Sequence, residues 1–374
     1  MRKLLAVAVS SLVVSATLPA QGAISLEGLG FPPGQLSARA EGAGGSLGDF
    51  DPLSAVNPSA LGSAGSPAVF FQYSPEFKRV DAGGGSAKTT TARFPVVMGI
   101  LPMGQNWTMG LSSSTFLDRS YETNLVRRQL IGVDSFDLTE RSRVLGAIND
   151  VRLALAWSRS AAVSLGLGAH VFAGSNRIAF SQIFPDSAIF LSNSQTQRVS
   201  YTGFAVSAGA EFRPSRVIGF AVSARKGGDL TAETGDTVIG RGRLPDHYSG
   251  SIIYQGITGA SIAARVAHDS WSSMSSLSSS IQAFDGWDVG VGAEATGPRL
   301  LQRVLTVRLG ARMRTLPFGL AGEKVSEKSF MGGIGVPLTR NRASFDLAVQ
   351  RAARTSGSID ERGFILSFGL RVSP

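Results

Sequence analysis

The chain has 374 residues, 45 of them glycine and none cysteine, and only 17% are charged, against roughly 25% in ordinary globular domains. The missing cysteine excludes a disulfide scaffold, a lipobox and thiolate chemistry. The formal charge of +9 is spread as single arginines through apolar segments, with no basic patch, which argues against a nucleic-acid partner.

The chain opens with Arg2 and Lys3, a short apolar run over Leu4–Val14, and small residues ending at Ala20 or Ala23. This pattern predicts a secretory signal peptide over 1–23, because the apolar run is too short for a stable membrane anchor. No later stretch approaches the about 18 apolar residues of a transmembrane helix, so any membrane insertion is expected to use a barrel.

Residues 24–66 show no alternation. Gly42, Gly44, Gly45, Gly48, Pro52 and Pro58 suggest tight turns, with a short helix or turn-rich plug over 37–47. The Gly42–Gly45 run is a poor dinucleotide fingerprint, since no strand precedes it and the third glycine is misplaced.

From Pro67 a period of two sets in and persists to the end. Candidate strands are 67–78, 91–102, 106–117, 143–158, 161–174, 198–213, 216–227, 246–256, 258–270, 285–296, 302–314, 325–336, 342–353 and 361–373. In 302–314, Leu305, Val307, Leu309, Ala311 and Met313 alternate with Thr306, Arg308, Gly310, Arg312 and Arg314. In 361–373, Phe364, Leu366, Phe368, Leu370 and Val372 form one face, with Arg371 on the other. Short connections (102–106, 158–161, 213–216, 256–258, 296–302, 336–342) alternate with longer ones (78–91, 117–143, 174–198, 227–246, 270–285, 314–325, 353–361), as in barrels with short periplasmic turns and long external loops. The glycines on the polar parity, among them Gly166, Gly209, Gly290, Gly292, Gly310, Gly333 and Gly369, weaken a strand and so point to close packing against something inside. The expected fold is all-β: a transmembrane antiparallel β-barrel of about 14 strands over 67–374, with residues 24–66 as a plug, or hatch, inside. A secreted soluble β protein is the alternative.

The run Ala38-Arg39-Ala40-Glu41-Gly42-Ala43-Gly44-Gly45-Ser46, then Asp51, then Asn57-Pro58-Ser59-Ala60-Leu61, resembles the start of the FadL outer-membrane transporter family (FadL/TodX-like). The chain departs from the family pattern in having Asn-Pro-Ser where Asn-Pro-Ala is usual, and in ending Val372-Ser373-Pro374 without a terminal aromatic. The resemblance implies a bacterial outer-membrane location and uptake of a hydrophobic small molecule, a long-chain fatty acid or a hydrocarbon, leaving sideways through a gap in the wall. The family's PorV-like relatives imply an alternative, a barrel that partners a secretion system or surface attachment. A structural barrel without a path is a third reading.

Asn57, Pro58 and Ser59 are the candidate ligand-gating residues of the hatch. Proline fixes φ and holds the preceding residue extended, freeing the Asn57 side chain to bond backbone; an ordinary Asx-Pro turn is the plain alternative. Arg308, Arg312 and Arg314 share the inward face of one strand. They suit either a carboxylate headgroup or lumen pairing with Asp288, Glu294 and Asp346 on neighbouring strands. His170, His247 and His268 lack metal-ligand spacing, so neither a metal nor another cofactor is expected. No nucleophile–base–orienter set can be assembled, so the chain reads as a non-enzyme. Residues 272–280 read as a flexible serine-rich segment. Trp107, Tyr121, Trp157, Tyr201, Tyr248, Tyr254, Trp271 and Trp287 suit an aromatic girdle. Arg119, Arg127, Arg128, Arg141 and Arg143 suit either outer-membrane lipopolysaccharide phosphates or solvent.

Overall fold

A computed structural model describes residues 30–374 apart from 83–84, 132–133, 161, 185–191, 278–281, 301–302, 321, 339–341 and 358. The expected signal peptide and residues 24–29 lie outside the described residues. The chain forms a closed antiparallel β-barrel of 14 strands. Seventeen strand segments make up these fourteen, because three strands are each interrupted once. The strands are β1 (Ala68–Ala82), β2 (Gly85–Arg93 and Val96–Met103), β3 (Trp107–Asp118 and Tyr121–Ile131), β4 (Asp134–Ser160), β5 (Val163–Ile183), β6 (Asn193–Phe212) and β7 (Ile218–Thr234). They continue as β8 (Thr237–Arg243 and His247–Ile257), β9 (Ala260–Asp269), β10 (Gly286–Leu300), β11 (Arg303–Leu320), β12 (Glu323–Leu338), β13 (Ala343–Ser356) and β14 (Ile359–Val372). Each candidate strand of the sequence overlaps one of them, with ends that overrun by no more than two residues. The barrel closes between β1 and β14, with Val69 opposite Val372 and Tyr73 opposite Phe368.

The alternation sorts side chains between the two faces of the wall. On β5, Leu165, Leu167 and Val171 are exposed on the outside while His170 and Phe172 are buried inside. Leu309 and Phe330 are 72% and 73% exposed, an arrangement of large apolar groups that suits lipid and not water. Trp107, Tyr248, Tyr254 and Trp287 are exposed on this outer surface. Tyr201 and Trp271 are not part of any girdle: both are buried in an apolar cluster inside the barrel.

We call the end with Ala68 and Val372 proximal and the opposite end distal. Much of the sequence between 78–91, 117–143, 227–246, 314–325 and 353–361 proves to be strand and not loop. Gly85–Arg93, Tyr121–Ile131 and Thr237–Arg243 lie there, and β4 alone runs for 27 residues. At about 3.3 Å per residue it extends well beyond an apolar band about 25 Å tall. The asymmetry of the barrel therefore lies in how far its strands project distally.

The segment 30–65 occupies the lumen. Ala38–Gly42 forms a single helical turn, with Ser37 accepting from the Ala40 N–H at its start. Pro58–Ser63 forms a 3-10 helix. The glycines on the inward parity receive this plug. A Cβ on Gly166 would stand 2.4 Å from the Pro58 carbonyl carbon, one on Gly292 2.1 Å from the Ala43 oxygen, and one on Gly310 2.2 Å from the Gly44 nitrogen. Gly44 itself has φ +68°, and a Cβ there would lie 2.6 Å from the Val291 oxygen, so only glycine fits the position.

Candidate functional site: the plugged lumen and the break in its wall

The plug is tied to the wall mainly through charges. Asp49 is fully buried and accepts from Ser249 Oγ (2.9 Å), Ser251 Oγ (2.5 Å) and Arg265 Nε (3.0 Å), all from β8 and β9. Arg39 donates to both oxygens of Glu294 at 2.9 and 2.8 Å, and lies 3.9 Å from Asp51. The predicted lumen charges sit in the same layer. Arg308 bridges Glu294 (2.7 Å) and Asp346 (2.6 Å), and Arg312 forks onto Asp288 through Nε (2.7 Å) and Nη2 (2.5 Å). Arg314 turns away from these three carboxylates to Glu327, at 2.6 Å. Arg39, Arg308, Arg312 and Arg314 each face a carboxylate, so none of these four is a free cation for a ligand headgroup.

Asn57 caps the 3-10 helix. Its Oδ1 accepts from the Ser59 N–H (3.0 Å) and Ser59 Oγ (2.8 Å), and its Nδ2 donates to the Asp49 carbonyl (2.8 Å). These bonds stay within the plug. Pro58 stands at the first helical position, where its missing N–H costs nothing. The Ser59 carbonyl accepts from Ser164 Oγ on β5, at 2.7 Å. Asn57, Pro58 and Ser59 therefore set the shape of the plug's second half and seat it on the wall.

Sequence reasoning missed Asp49, whose partners lie on strands some 200 residues onward, and a second charge cluster around Phe31. Glu76 pairs with Arg93, Lys78 and Arg354, and Glu327 and Glu361 also meet Arg354. The Phe31 ring lies 4.5 Å from the Arg354 guanidinium and 4.7 Å from that of Arg93, with Lys78 and Arg314 at 5.3 and 5.2 Å. Such contacts stabilise by about 0.5–2 kcal/mol each. An acid close to Asp51 in the glycine-rich N-terminal run was the available signal for Asp49; Phe31 left none.

Above the plug the character changes. Phe116, Leu117, Phe172, Tyr201 and Leu230 form an apolar cluster inside the distal barrel, closed by Trp271, Met274 and Leu277. These three are the buried face of a 3-10 helix over Trp271–Leu277. The described part of the segment read as a flexible serine-rich loop is thus a lid, with apolar residues at the three-residue spacing such a helix aligns. Trp271 stacks on Phe116 with centroids 5.1 Å apart. Between lid and plug lies a cavity of about 100 Å³, lined in part by Leu36, Val56, His170, Arg225, Arg265 and Trp271. His170 is bonded to Asp150 (2.9 Å) and Ser207 (2.8 Å), and His247 to Asp269 (2.8 Å). Among the described residues no group of three metal-ligating side chains occurs.

The wall itself is interrupted. Phe94-Pro95 separates the two segments of β2, and Arg119-Ser120 those of β3. The proximal segments pair with each other, Val96 opposite Ser114 through Met103 opposite Trp107. The distal segments do not: Gly85–Arg93 pairs with β1 and Tyr121–Ile131 with β4, and no ladder joins them among the described residues. A cavity of about 660 Å³ fills the gap. Its lining includes inner-face groups, Arg93, Ser114 and Asp118, and outer-face groups, Phe94, Val97 and Leu145, so it borders both faces of the wall. At its inner edge lies the first described stretch of the plug. Phe31 exchanges both backbone hydrogen bonds with Asp118, at 2.8 Å each, one residue before the break.

This architecture has counterparts among solved structures. The chain is similar to a FadL homologue of Pseudomonas aeruginosa, with a TM-score of 0.65 and 14% identity, covering 92% of this chain and 99% of that one. It is also similar to the Pseudomonas putida toluene transporter TodX (0.59, 13%, 92% and 98%) and to the monoaromatic hydrocarbon channel CymD (0.55, 11%, 94% and 99%). No family model and no curated protein matches the sequence. The chain has the FadL-type barrel fold.

Proposed function

We propose that this barrel is an outer-membrane channel for uptake of hydrophobic small molecules, with its distal end facing outward. The named neighbours, a toluene transporter and a monoaromatic hydrocarbon channel, support that class. The observation that carries the reading is the relation between the apolar distal lumen and the gap between β2 and β3. A ligand held under the lid meets a dense layer of buried ion pairs below it, which an apolar molecule cannot cross without leaving charges unpaired. The gap lies above that layer and leads to the lipid side. Release sideways into the bilayer keeps an apolar solute out of water throughout, and requires only that Trp271–Leu277 lift and that the plug's start leave the break in β3.

Phe31 and Asp118 are a hydrogen-bonded cross-strand pair, a geometry with Cα atoms about 5.5 Å apart that a disulfide can span. The natural chain has no cysteine, so Phe31→Cys with Asp118→Cys gives a clean lock. Cells relying on this barrel should take up labelled oleate or toluene when the pair is reduced and lose uptake when it is oxidised. Uptake indifferent to oxidation defeats the lateral route; absence of uptake of either compound defeats the channel reading. Co-purification with secretion subunits would support the docking role instead.

A further inference from the structure

On the outer surface of β4, β5 and β6, just distal to the apolar belt, arginines gather without matching acids. Arg177 on β5 stands directly opposite Arg198 on β6, and both are exposed. Neither has an ion-pair partner among the described residues. Arg143 on β4 is opposite Ala179, which places it diagonally beside Arg177. The nearby acids do not neutralise the pair: Glu122 is taken by Arg141 (2.6 Å) and Arg143 (3.5 Å), and Glu233, opposite Ser200 on β7, makes no ion pair with Arg198. Like charges directly opposed across a ladder destabilise it, so a bare Arg177–Arg198 pair costs stability unless an anion bridges it.

The height of the pair identifies the anion. On the same face of β5 lie Leu165, Leu167 and Val171, and on β6 Phe204 and Val206, all exposed. Arg177 is about 40 Å along the strand from Leu165 at 3.3 Å per residue, which at a tilt of 35–45° is about 30 Å of height against an apolar band of about 25 Å. The pair therefore sits at the headgroup level of the leaflet around the distal end. Guanidinium forks match phosphate oxygens two at a time.

We propose that Arg177 and Arg198, with Arg143 beside them, bind the phosphorylated headgroup of an outer-leaflet lipid whose acyl chains lie on the apolar face below. The inference rests on the outward placement of the distal end proposed above. Its test is native mass spectrometry of the detergent-solubilised barrel titrated with diphosphoryl lipid A, beside its dephosphorylated form and inorganic phosphate. The wild-type protein should retain diphosphoryl lipid A, and Arg177→Gln/Arg198→Gln should hold it about tenfold more weakly, the loss of one or two charge-assisted bonds. Glu122→Gln, which frees Arg143, should tighten binding. Equal retention by wild type and double variant overturns the site, as does equal retention of the dephosphorylated lipid; displacement by matched inorganic phosphate overturns the lipid assignment. Heat-modified gel mobility confirms that the variants are folded. Uptake by the double variant should stay at the wild-type level, so a failed lipid site and a failed channel reading appear in separate assays.

Discussion

Asn57 and Gly209 interlock: a Cβ on Gly209 would stand 1.9 Å from Asn57 Oδ1 and 3.2 Å from Pro58 Cδ. The same oxygen accepts both bonds from Ser59 that cap the 3-10 helix, so it cannot retreat without uncapping the plug. Gly209→Ala should therefore destabilise the folded barrel by about 1–3 kcal/mol, the usual cost of overpacking, and loosen the plug. A lower urea midpoint with raised ion conductance in planar bilayers is the expected pair of readings. An unchanged midpoint and conductance would mean that the plug does not seat on β6.

Asp49 anchors the other side of the plug. Asp49→Ala leaves Arg265 buried with Asp288 as its remaining carboxylate, at 3.4 Å, and removes the carboxylate that accepts from Ser249 and Ser251. Breaking a buried pair costs about 3–5 kcal/mol; the surviving Asp288 contact puts this variant toward the lower figure. The double variant Asp49→Leu/Arg265→Met, which removes both charges, should recover much of the loss. Urea titration of all three proteins checks the ordering, and a double variant no better than the single one would show that the ion pair is not what holds the plug.

Glu41 gives the plug a pH dependence. Burial lifts its carboxyl to about 7, partly opposed by bonds from Ser367 and Gln72 and by Arg312 and Arg314. Its folded-state value thus lies above the unfolded one, so the stabilisation belongs to the protonated form. It is complete below the ordinary glutamate range, about 4.3, and disappears as pH rises through about 7. Wild-type barrels should melt at a lower temperature at mildly alkaline than at mildly acidic pH, and Glu41→Gln should flatten that difference. A variant that keeps the wild-type slope would assign the titration to another group.

What was legible in the sequence follows from which interactions are local. Alternation is local, so strands such as Arg303–Leu320 and Ile359–Val372 announce themselves. The use of Gly166, Gly209, Gly292 and Gly310 as seats for the plug was also readable, because glycine on the inward parity has a cost that close packing explains. The distal strand segments were not readable. Where Gly85–Arg93 and Tyr121–Ile131 rise beyond lipid, nothing apolar is required on either face, and the period vanishes although the hydrogen-bonded ladders continue. The break at Pro95 was visible as a residue but not as a gap, since what opens the wall is the failure of two distal segments to pair. In the site, Arg308, Asp288 and Glu294 could be placed on the lumen side by parity. Glu327, directly opposite Arg314 on the next strand, follows from register alone, whereas the partners of Asp49 depend on how a separate segment threads the barrel, which no short-range pattern encodes.

Phe368 offers the sharpest check of which face meets lipid. It stands on the outward parity of β14, opposite Tyr73 on β1 and Leu347 on β13, and its ring stacks with Tyr73 at 6.4 Å. Its neighbours on the same face, Phe364, Leu370 and Val372, are exposed, while Ser367 on the other parity is buried and bonded to Ser74. Four residues up from Val372, the side chain lies about 10 Å inside the proximal edge of the belt at ordinary strand rise and tilt. An arginine here must leave lipid or drag water in, at about 2–4 kcal/mol for the bilayer centre and less toward the edge. Phe368→Arg should therefore fold into lipid vesicles with a lower yield and a lower urea midpoint, by about 2 kcal/mol, whereas Ser367→Ala should insert like the wild type. Normal assembly of Phe368→Arg, read by heat-modified gel mobility, would place this face away from lipid and with it the outward parity of the closing strand.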